Sequence, residues 1–428
     1  MDERYLSAGR AAEELGVSVS TLYAYVSRGM VRSEAVEGKK RNRRYRAEDV
    51  RRLKERKERR RDPDGVVEGA LRWGTPVMES GITLIDDGRL YYRGREVVDL
   101  AGKKSIEEVA ALVWTGDEAM APDLFLREEK PLSGRIRTVL GSVAGMPPVE
   151  MFQVLLPLAA AEDPAAYDLR PSAVARTGAR ILRLMTKAAV GEDAPSLAET
   201  LGRGWGPGEI GAGLLDAALV FCADHELPVS TFAARCVASS GASPYAVVLA
   251  GLAALGGIKH GREIELAEAF LREAEVAGDA RAVISGRLRC GERIPGFGHS
   301  LYPEGDPRGA GLLRLVAETN PESPAVTLSE AVAWEVLRLL GGRPTVDFAL
   351  ATVGRALGLP AGGAVALFGL GRTVGWIGHA IEQYESDSLI RPRARYVGEQ
   401  PLRMPANAEV STHSRITHST KSKAEILF

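Results

Sequence analysis

From Ser105 to Leu340 apolar residues recur at intervals of three and four through nearly every segment, and that period restricts the body of this chain to helices. The runs Pro148 to Ala161, Ala173 to Ala189, Gly211 to Ala223, Thr231 to Ala238, Tyr245 to Leu255 and Leu328 to Leu340 all carry it. Hardly any β-branched alternation occurs among them, and many Gly and Ala residues let helices approach closely. The expected fold class of this body is therefore mainly α, all-helical. Ser105-Ile106-Glu107-Glu108 is a capping box that opens one helix, with Val109, Leu112 and Val113 inward and Gly116 as its stop. Ahead of it, Ile82 to Ile85, Asp86-Asp87-Gly88 and Leu90 to Tyr92 predict a small hairpin closed on an Asp-Gly turn.

A second unit precedes this body. Ala8, Ala11, Ala12 and Leu15 share one face of a short helix ended by Gly16, and Ser18 or Ser20 caps a second helix from Thr21 to Ser27. Two short helices on a Gly turn make a helix-turn-helix. Lys39 to Tyr45 predicts a basic hairpin or wing, and Ala47-Glu48-Asp49 starts another helix. Between Arg28 and Arg61 sixteen Lys or Arg face six Asp or Glu, a net of +10 hidden within a chain of formal charge −1. A patch of that density neutralises several phosphates, so DNA is the expected partner of this unit. Thr21, Tyr23, Ala24 and Arg28 are expected near a major groove, and Arg41, Arg43 and Arg44 on the backbone. The unit resembles the winged helix-turn-helix domains of MerR-type regulators, down to the Arg-Tyr before Glu48-Asp49-Val50. Asp62-Pro63-Asp64-Gly65 breaks the basic helix and marks a linker.

Chemistry concentrates later, around Pro295 to Gly309. Gly296 and Gly298 allow a tight turn that presents His299 from a loop, and Arg308 follows an Asp-Pro pair nine residues on. A proton carrier beside a guanidinium fork suits a substrate with both a carboxylate and a reactive carbonyl. Gly256 to Gly261 presents His260, Thr345 to Phe348 offers Asp347 in an apolar setting, and Gly371-Arg372 and Arg391-Pro392-Arg393 add guanidinium groups. These five motifs, in this order between Thr75 and Gly398, resemble the citrate synthase family.

The resemblance implies a catalytic trio of His260, His299 and Asp347, with His225, Arg308 and Arg372 on oxaloacetate and Arg391 supplied across a homodimer. It implies acetyl-CoA as co-substrate, no cofactor, and closure of a small domain on a large one. Expected boundaries are 1–61 for the DNA-binding unit, 62–74 for the linker, 75–261 and 359–410 for the large domain, 262–358 for the small one and 411–428 for a flexible tail. Two departures touch coenzyme A handling. His260 is followed by Gly261-Arg262-Glu263-Ile264 where relatives often read Gly-Gly-Ala-Asn, and Pro303 stands where a basic residue is frequent, as Ser300 does where Arg or Ala is. The alternatives are a 2-methylcitrate synthase using propionyl-CoA, or a metabolite-sensing transcription regulator with a catalytically weak body.

No His-x₃-His or HExxH spacing exists, so no metal is expected. His379 reads as core or interface, and His413 and His418 fall in the tail. Cys222, Cys236 and Cys290 show no ligand spacing and are expected to be small buried thiols in a reducing, cytoplasmic setting. The N-terminus lacks a secretory layout, and the longest nearly apolar run, Tyr245 to Ile258, is short of the ~20 residues that cross a bilayer.

Overall fold

In the computed structural model residues 5–35, 43–47, 49–51, 53–54, 78–126, 132–191, 194–206 and 208–399 are described. The linker, the tail and Arg41 lie outside them.

The N-terminal unit folds as the sequence predicts, with two shifts. Helix α1 (Ala8–Glu14) is capped by Ser7, Gly16 turns the chain at φ 58°, and α2 (Val19–Ser27) follows. Ser18 rather than Ser20 takes the cap, its Oγ accepting from the Thr21 N–H at 3.2 Å, so α2 starts two residues before Thr21. Strand β1 (Tyr5–Leu6), unforeseen from the sequence, joins β2 (Ser33–Ala35) and β3 (Arg43–Arg46) in an antiparallel sheet of order β1-β3-β2. Of the predicted wing, Arg43 to Tyr45 lie in β3, paired with β2 in register Ser33 to Tyr45 and Ala35 to Arg43, and Lys39 to Asn42 lie outside the described residues. Ala11, Leu15, Leu22, Val31, Tyr45 and Val50 close a small core of their own.

In the body, β4 (Thr83–Asp86) and β5 (Arg89–Tyr92) pair across Asp87 and Gly88, both at positive φ, and β6 (Arg95–Glu96) extends the sheet. That is the primed turn an Asp-Gly pair favours. The capping box forms as expected at α3 (Ile106–Thr115), with Gly116 in the left-handed region. The larger helices that follow are α4 (Pro148–Glu162), α5 (Pro171–Val190), α6 (Gly208–Cys222), α7 (Val229–Ala238), α8 (Pro244–Leu255), α9 (Arg262–Ala277), α10 (Pro307–Thr319), α11 (Pro324–Leu340), α12 (Val346–Ala356) and α13 (Gly363–Ser386).

Helix α13 is the axis of the body. Helices α3, α5, α6, α7 and α8 pack around it, and nearly all its side chains are buried. Small residues set these contacts. A Cβ on Gly371 would lie 2.5 Å from the Leu219 carbonyl of α6, and one on Gly375 2.3 Å from Asp224 just beyond α6. In the opposite sense Gly251 of α8 and Gly178 of α5 make room for Trp376 and Ile377. At 24 residues α13 is long and apolar enough to cross a membrane, which corrects the expectation that no run reaches that length. Its enclosure by other helices accounts for the composition. Thiol burial needs correction too: Cys222 is buried, but Cys236 is half-buried and Cys290 exposed.

The chain divides after Leu389. The segment from Ile390 carries neither helix nor strand among its described residues, and Arg391 is exposed in it.

Candidate active site

Three segments bring the histidines together. Beyond α6 the turn Asp224-His225-Glu226 puts Glu226 at φ 60°, held by its N–H donating to Asp224 Oδ2 at 3.2 Å. His225 is buried, and its Nε2 lies 2.9 Å from the Tyr302 hydroxyl. After α8 a Gly-Gly turn delivers His260, whose Nε2 is 2.7 Å from Ser230 Oγ at the start of α7 and whose ring meets Phe368 edge-on at 5.6 Å. Gly261 belongs here sterically, since a Cβ would lie 2.7 Å from the Leu255 carbonyl.

The loop carrying His299 is zipped to the segment ahead of α12. Gly298 N–H donates to the Arg343 carbonyl and Thr345 N–H to the Gly296 carbonyl, both at 2.9 Å. Gly296 and Gly298 both sit near φ 80°, as their positions in the motif predicted, and a Cβ on Gly296 would lie 2.8 Å from that of Phe348. This zip fixes His299 relative to Asp347, which stands in the first turn of α12. The His225 and His299 rings are 5.3 Å apart, and the Tyr302 ring lies within 5.6 Å of both.

Arg308 is 3% exposed and clamped by Asp306, Nε to Oδ1 at 3.0 Å and Nη2 to Oδ2 at 2.8 Å. The same carboxylate accepts the Val346 N–H at 3.0 Å, so one acid holds both the guanidinium fork and the helix start that presents Asp347. Arg372, 1% exposed, donates Nε to the Cys222 carbonyl at 2.8 Å and lies 4.8 Å over the Phe368 ring. Its Nη2 is buried with no hydrogen-bond partner, an orphan donor of the kind that an anion satisfies.

The electrostatics show that these groups share one neighbourhood. Burial first, then Arg308 and Arg372, holds His225 well below the ordinary histidine range, and burial with Arg372 brings His260 down to about 4. His299 is lowered by burial and Arg308 against the pull of Asp306. All three imidazoles are neutral at neutral pH. Asp347 moves the other way, to about 6, because burial together with Asp306 and Glu263 outweighs Arg308 and the 3.1 Å bond from Thr345. Asp306 stays below its usual value, Arg308 and the Val346 N–H overcoming burial.

Of the sequence-predicted residues, His225, His260, His299, Arg308, Asp347 and Arg372 therefore converge, whereas Arg391 belongs to the separate segment. Tyr302, Ser230 and Asp306 hold these residues in place and escaped the sequence reading. Only Asp306, two positions before Arg308, left a readable signal there. In the N-terminal unit Tyr23 is 54% exposed on α2 and Arg28 caps its end. Arg43 Nε donates to Ser33 Oγ at 2.9 Å, and Arg44 pairs with Glu34 at 3.3 Å while lying 4.1 Å over the Tyr5 ring. Thr21 is drawn into the cap of its own helix, its Oγ1 2.9 Å from Ser18 Oγ.

Comparison with known proteins agrees with both units. Residues 70–393 match the family described as Citrate synthase, C-terminal domain, and residues 6–60 match MerR HTH family regulatory protein. A citrate synthase of Haloferax volcanii is 31% identical over 362 residues, covering 77% of this chain and 95% of its own length. A 2-methylcitrate synthase of Mycobacterium tuberculosis is 27% identical over 344 residues, covering 74% and 86%. The crystal structure of citrate synthase from Thermotoga maritima superposes with a TM-score of 0.65 at 27% identity, covering 77% of this chain and 96% of that one. Profile, curated relatives and fold coincide over the helical body that builds the cleft, and the chain belongs to the citrate synthase family, with a MerR-type helix-turn-helix at its N-terminus.

Proposed function

We propose that the chain condenses acetyl-CoA with oxaloacetate to give citrate and free coenzyme A. The observation that carries this reading is a carboxyl group raised to about 6 in a cleft shared with neutral imidazoles and two buried guanidinium groups. Asp347 takes a proton from the thioester methyl, a task its lifted pKa suits near neutral pH. His260, neutral, donates to the developing enolate oxygen; a Ser230 hydroxyl donating to Nε2 leaves the ring proton on Nδ1 for that purpose. The enolate carbon then bonds to the oxaloacetate ketone carbon, whose oxygen takes its proton from His299. Water hydrolyses the thioester of the product, releasing the coenzyme A thiol and the third carboxylate.

The two carboxylates of oxaloacetate need cationic forks. Arg308 and Arg372 supply them, the second through its unbonded Nη2, with His225 beside them and Arg391 of the partner subunit completing the set in a homodimer. Residues 262–358 form the lobe that closes. Acetyl-CoA is favoured over propionyl-CoA by the higher identity to a protein named citrate synthase than to one named 2-methylcitrate synthase. One methylene in a pocket separates the two, a difference of ~1–3 kcal/mol. Supplying oxaloacetate with equal acetyl-CoA and propionyl-CoA and weighing the product tests the choice. A predominance of 2-methylcitrate reverses it.

A second reading rests on the N-terminal unit, whose wing and net +10 between Arg28 and Arg61 favour DNA as a ligand. In a two-fold dimer in the cytoplasm, two such units meet a palindromic site, and metabolite binding in the cleft biases transcription. Removing residues 1–61 abolishes retention of DNA on this reading and leaves turnover intact.

A further inference from the structure

Behind His225 runs a buried chain of polar side chains that the condensation chemistry does not use. Asp224 and His379 are both 0% exposed, and His379 Nε2 lies 3.4 Å from the Asp224 carboxylate. The other ring nitrogen, Nδ1, faces Arg235 Nη1 at 3.3 Å. A carboxylate only accepts, so Nε2 carries a proton aimed at Asp224. Arg235 is itself fixed by Glu382 at 3.1 Å and Gln383 at 3.1 Å. On the far side Thr83 Oγ1 donates to Asp224 Oδ2 at 2.5 Å, and the Tyr92 hydroxyl meets both the N–H and the carbonyl of Asp224, at 3.1 and 3.0 Å.

The N–H, the carbonyl and Oδ2 of Asp224 are thus tied to the hairpin, to α13 or to the Glu226 N–H, while Oδ1 is buried without a hydrogen bond and lies 3.4 Å from His379 Nε2. The bond from the Glu226 N–H holds a non-glycine residue at φ 60°, a conformation that persists only where its surroundings enforce it. Gly375 lets this happen: its N–H donates to the Ala223 carbonyl at 2.9 Å, an approach that any Cβ would block. An apolar core would be cheaper to build, since burying unpaired charge is costly. The arrangement has a directional result, because the residue between the two fixed points is His225.

We propose that Asp224, oriented by Thr83 and His379, is a positioning residue that sets the turn presenting His225 to the dicarboxylate substrate. The proposal rests on the oxaloacetate reading above. It acts on substrate capture, and leaves proton transfer at Asp347 and His260 alone.

Steady-state kinetics on the full chain test it. Asp224→Ala raises the KM for oxaloacetate by ~10-fold or more with kcat at saturation within ~3-fold, while the acyl-CoA KM is unchanged. Asp224→Asn keeps acceptors for Thr83 and the Glu226 N–H and recovers most of that loss; His379→Gln keeps a donor toward Asp224 and recovers it relative to His379→Leu. If Asp224→Ala does not fold, Thr83→Val, which removes one hydroxyl, carries the same test with a rise of ~3-fold. An unchanged oxaloacetate KM overturns the proposal, as does a fall in kcat together with equal rises in both KM values. Calorimetric titration of the native chain with oxaloacetate separates the two levels. No binding and no turnover withdraws the functional reading with this one, whereas an active native chain with unaffected variants withdraws only this one.

Discussion

Asp347→Asn should abolish turnover and make the protein more stable at neutral pH. The side chain stands at the start of α12, where burial, Asp306 and Glu263 lift its carboxyl from an ordinary 3.8 to about 6. At ~1.4 kcal/mol per unit the lift corresponds to a ceiling of ~3 kcal/mol by which the ionised form weakens the fold. The residue is only half-buried, and solvent screening reduces the expected gain to ~1–2 kcal/mol. Asparagine keeps an acceptor for the Thr345 hydroxyl, so the substitution removes charge and little else. The sign follows from which state binds the proton more tightly. With the folded pKa above the unfolded one, the penalty is absent below about 3.8, grows as pH rises, and is complete above about 6. Chemical denaturation of both proteins at intervals from pH 5 to 8 should show the variant's advantage growing to a plateau. Loss of the base costs ~10²–10⁴ in kcat over the same range, and native kcat/KM for the thioester rises through about 6. A variant less stable than the native chain at pH 7.5, or an advantage that does not change with pH, would refute this account of Asp347.

Three other predictions follow from the packing and charge of the molecule. Arg308→Leu strands Asp306 as a buried carboxylate and should cost ~3–5 kcal/mol by urea denaturation, far more than loss of an exposed ion pair. Gly375→Ala forces the α13 backbone off the Ala223 carbonyl and should cost ~1–3 kcal/mol and weaken oxaloacetate binding. By contrast Gly213→Ala, in α6 with open space around it, should be neutral or stabilise by up to ~1 kcal/mol; thermal melts distinguish the pair. If the N-terminal unit binds DNA, replacing Arg43 and Arg44 together by Ala should flatten the slope of log affinity against log salt by about two phosphate contacts, measured by fluorescence anisotropy.

What the sequence disclosed and what it hid divide along the reach of each interaction. The capping box at Ser105 and Glu108 and the Asp-Gly hairpin were legible because their hydrogen bonds close within a few residues. The motif glycines were legible because a positive φ is a property of the single residue, and Gly296 and Gly298 both hold one. Tyr302 reaches His225 across 77 positions, Ser230 reaches His260 across 30 and Asp306 reaches Val346 across 40. No local pattern encodes such pairs, because helix packing alone brings them together. Helix α13 was misjudged for a related reason. Its Gly and Ala positions dilute the hydropathy of a segment that the fold encloses completely, so the apolar run looked shorter than the buried helix is. Cys290 was expected inside and lies outside, at the end of a short helix whose neighbouring residues are exposed.

The account stands on a base, an enolate-stabilising imidazole and a carbonyl-holding imidazole working in one cleft on two substrates. Release of free thiol from acetyl-CoA or propionyl-CoA, followed with and without oxaloacetate, tests that most directly. Thiol release by the native chain only when oxaloacetate is present, and its loss in Asp347→Asn, is the result expected. Absence of release from either thioester, or equal release by the variant, would contradict it.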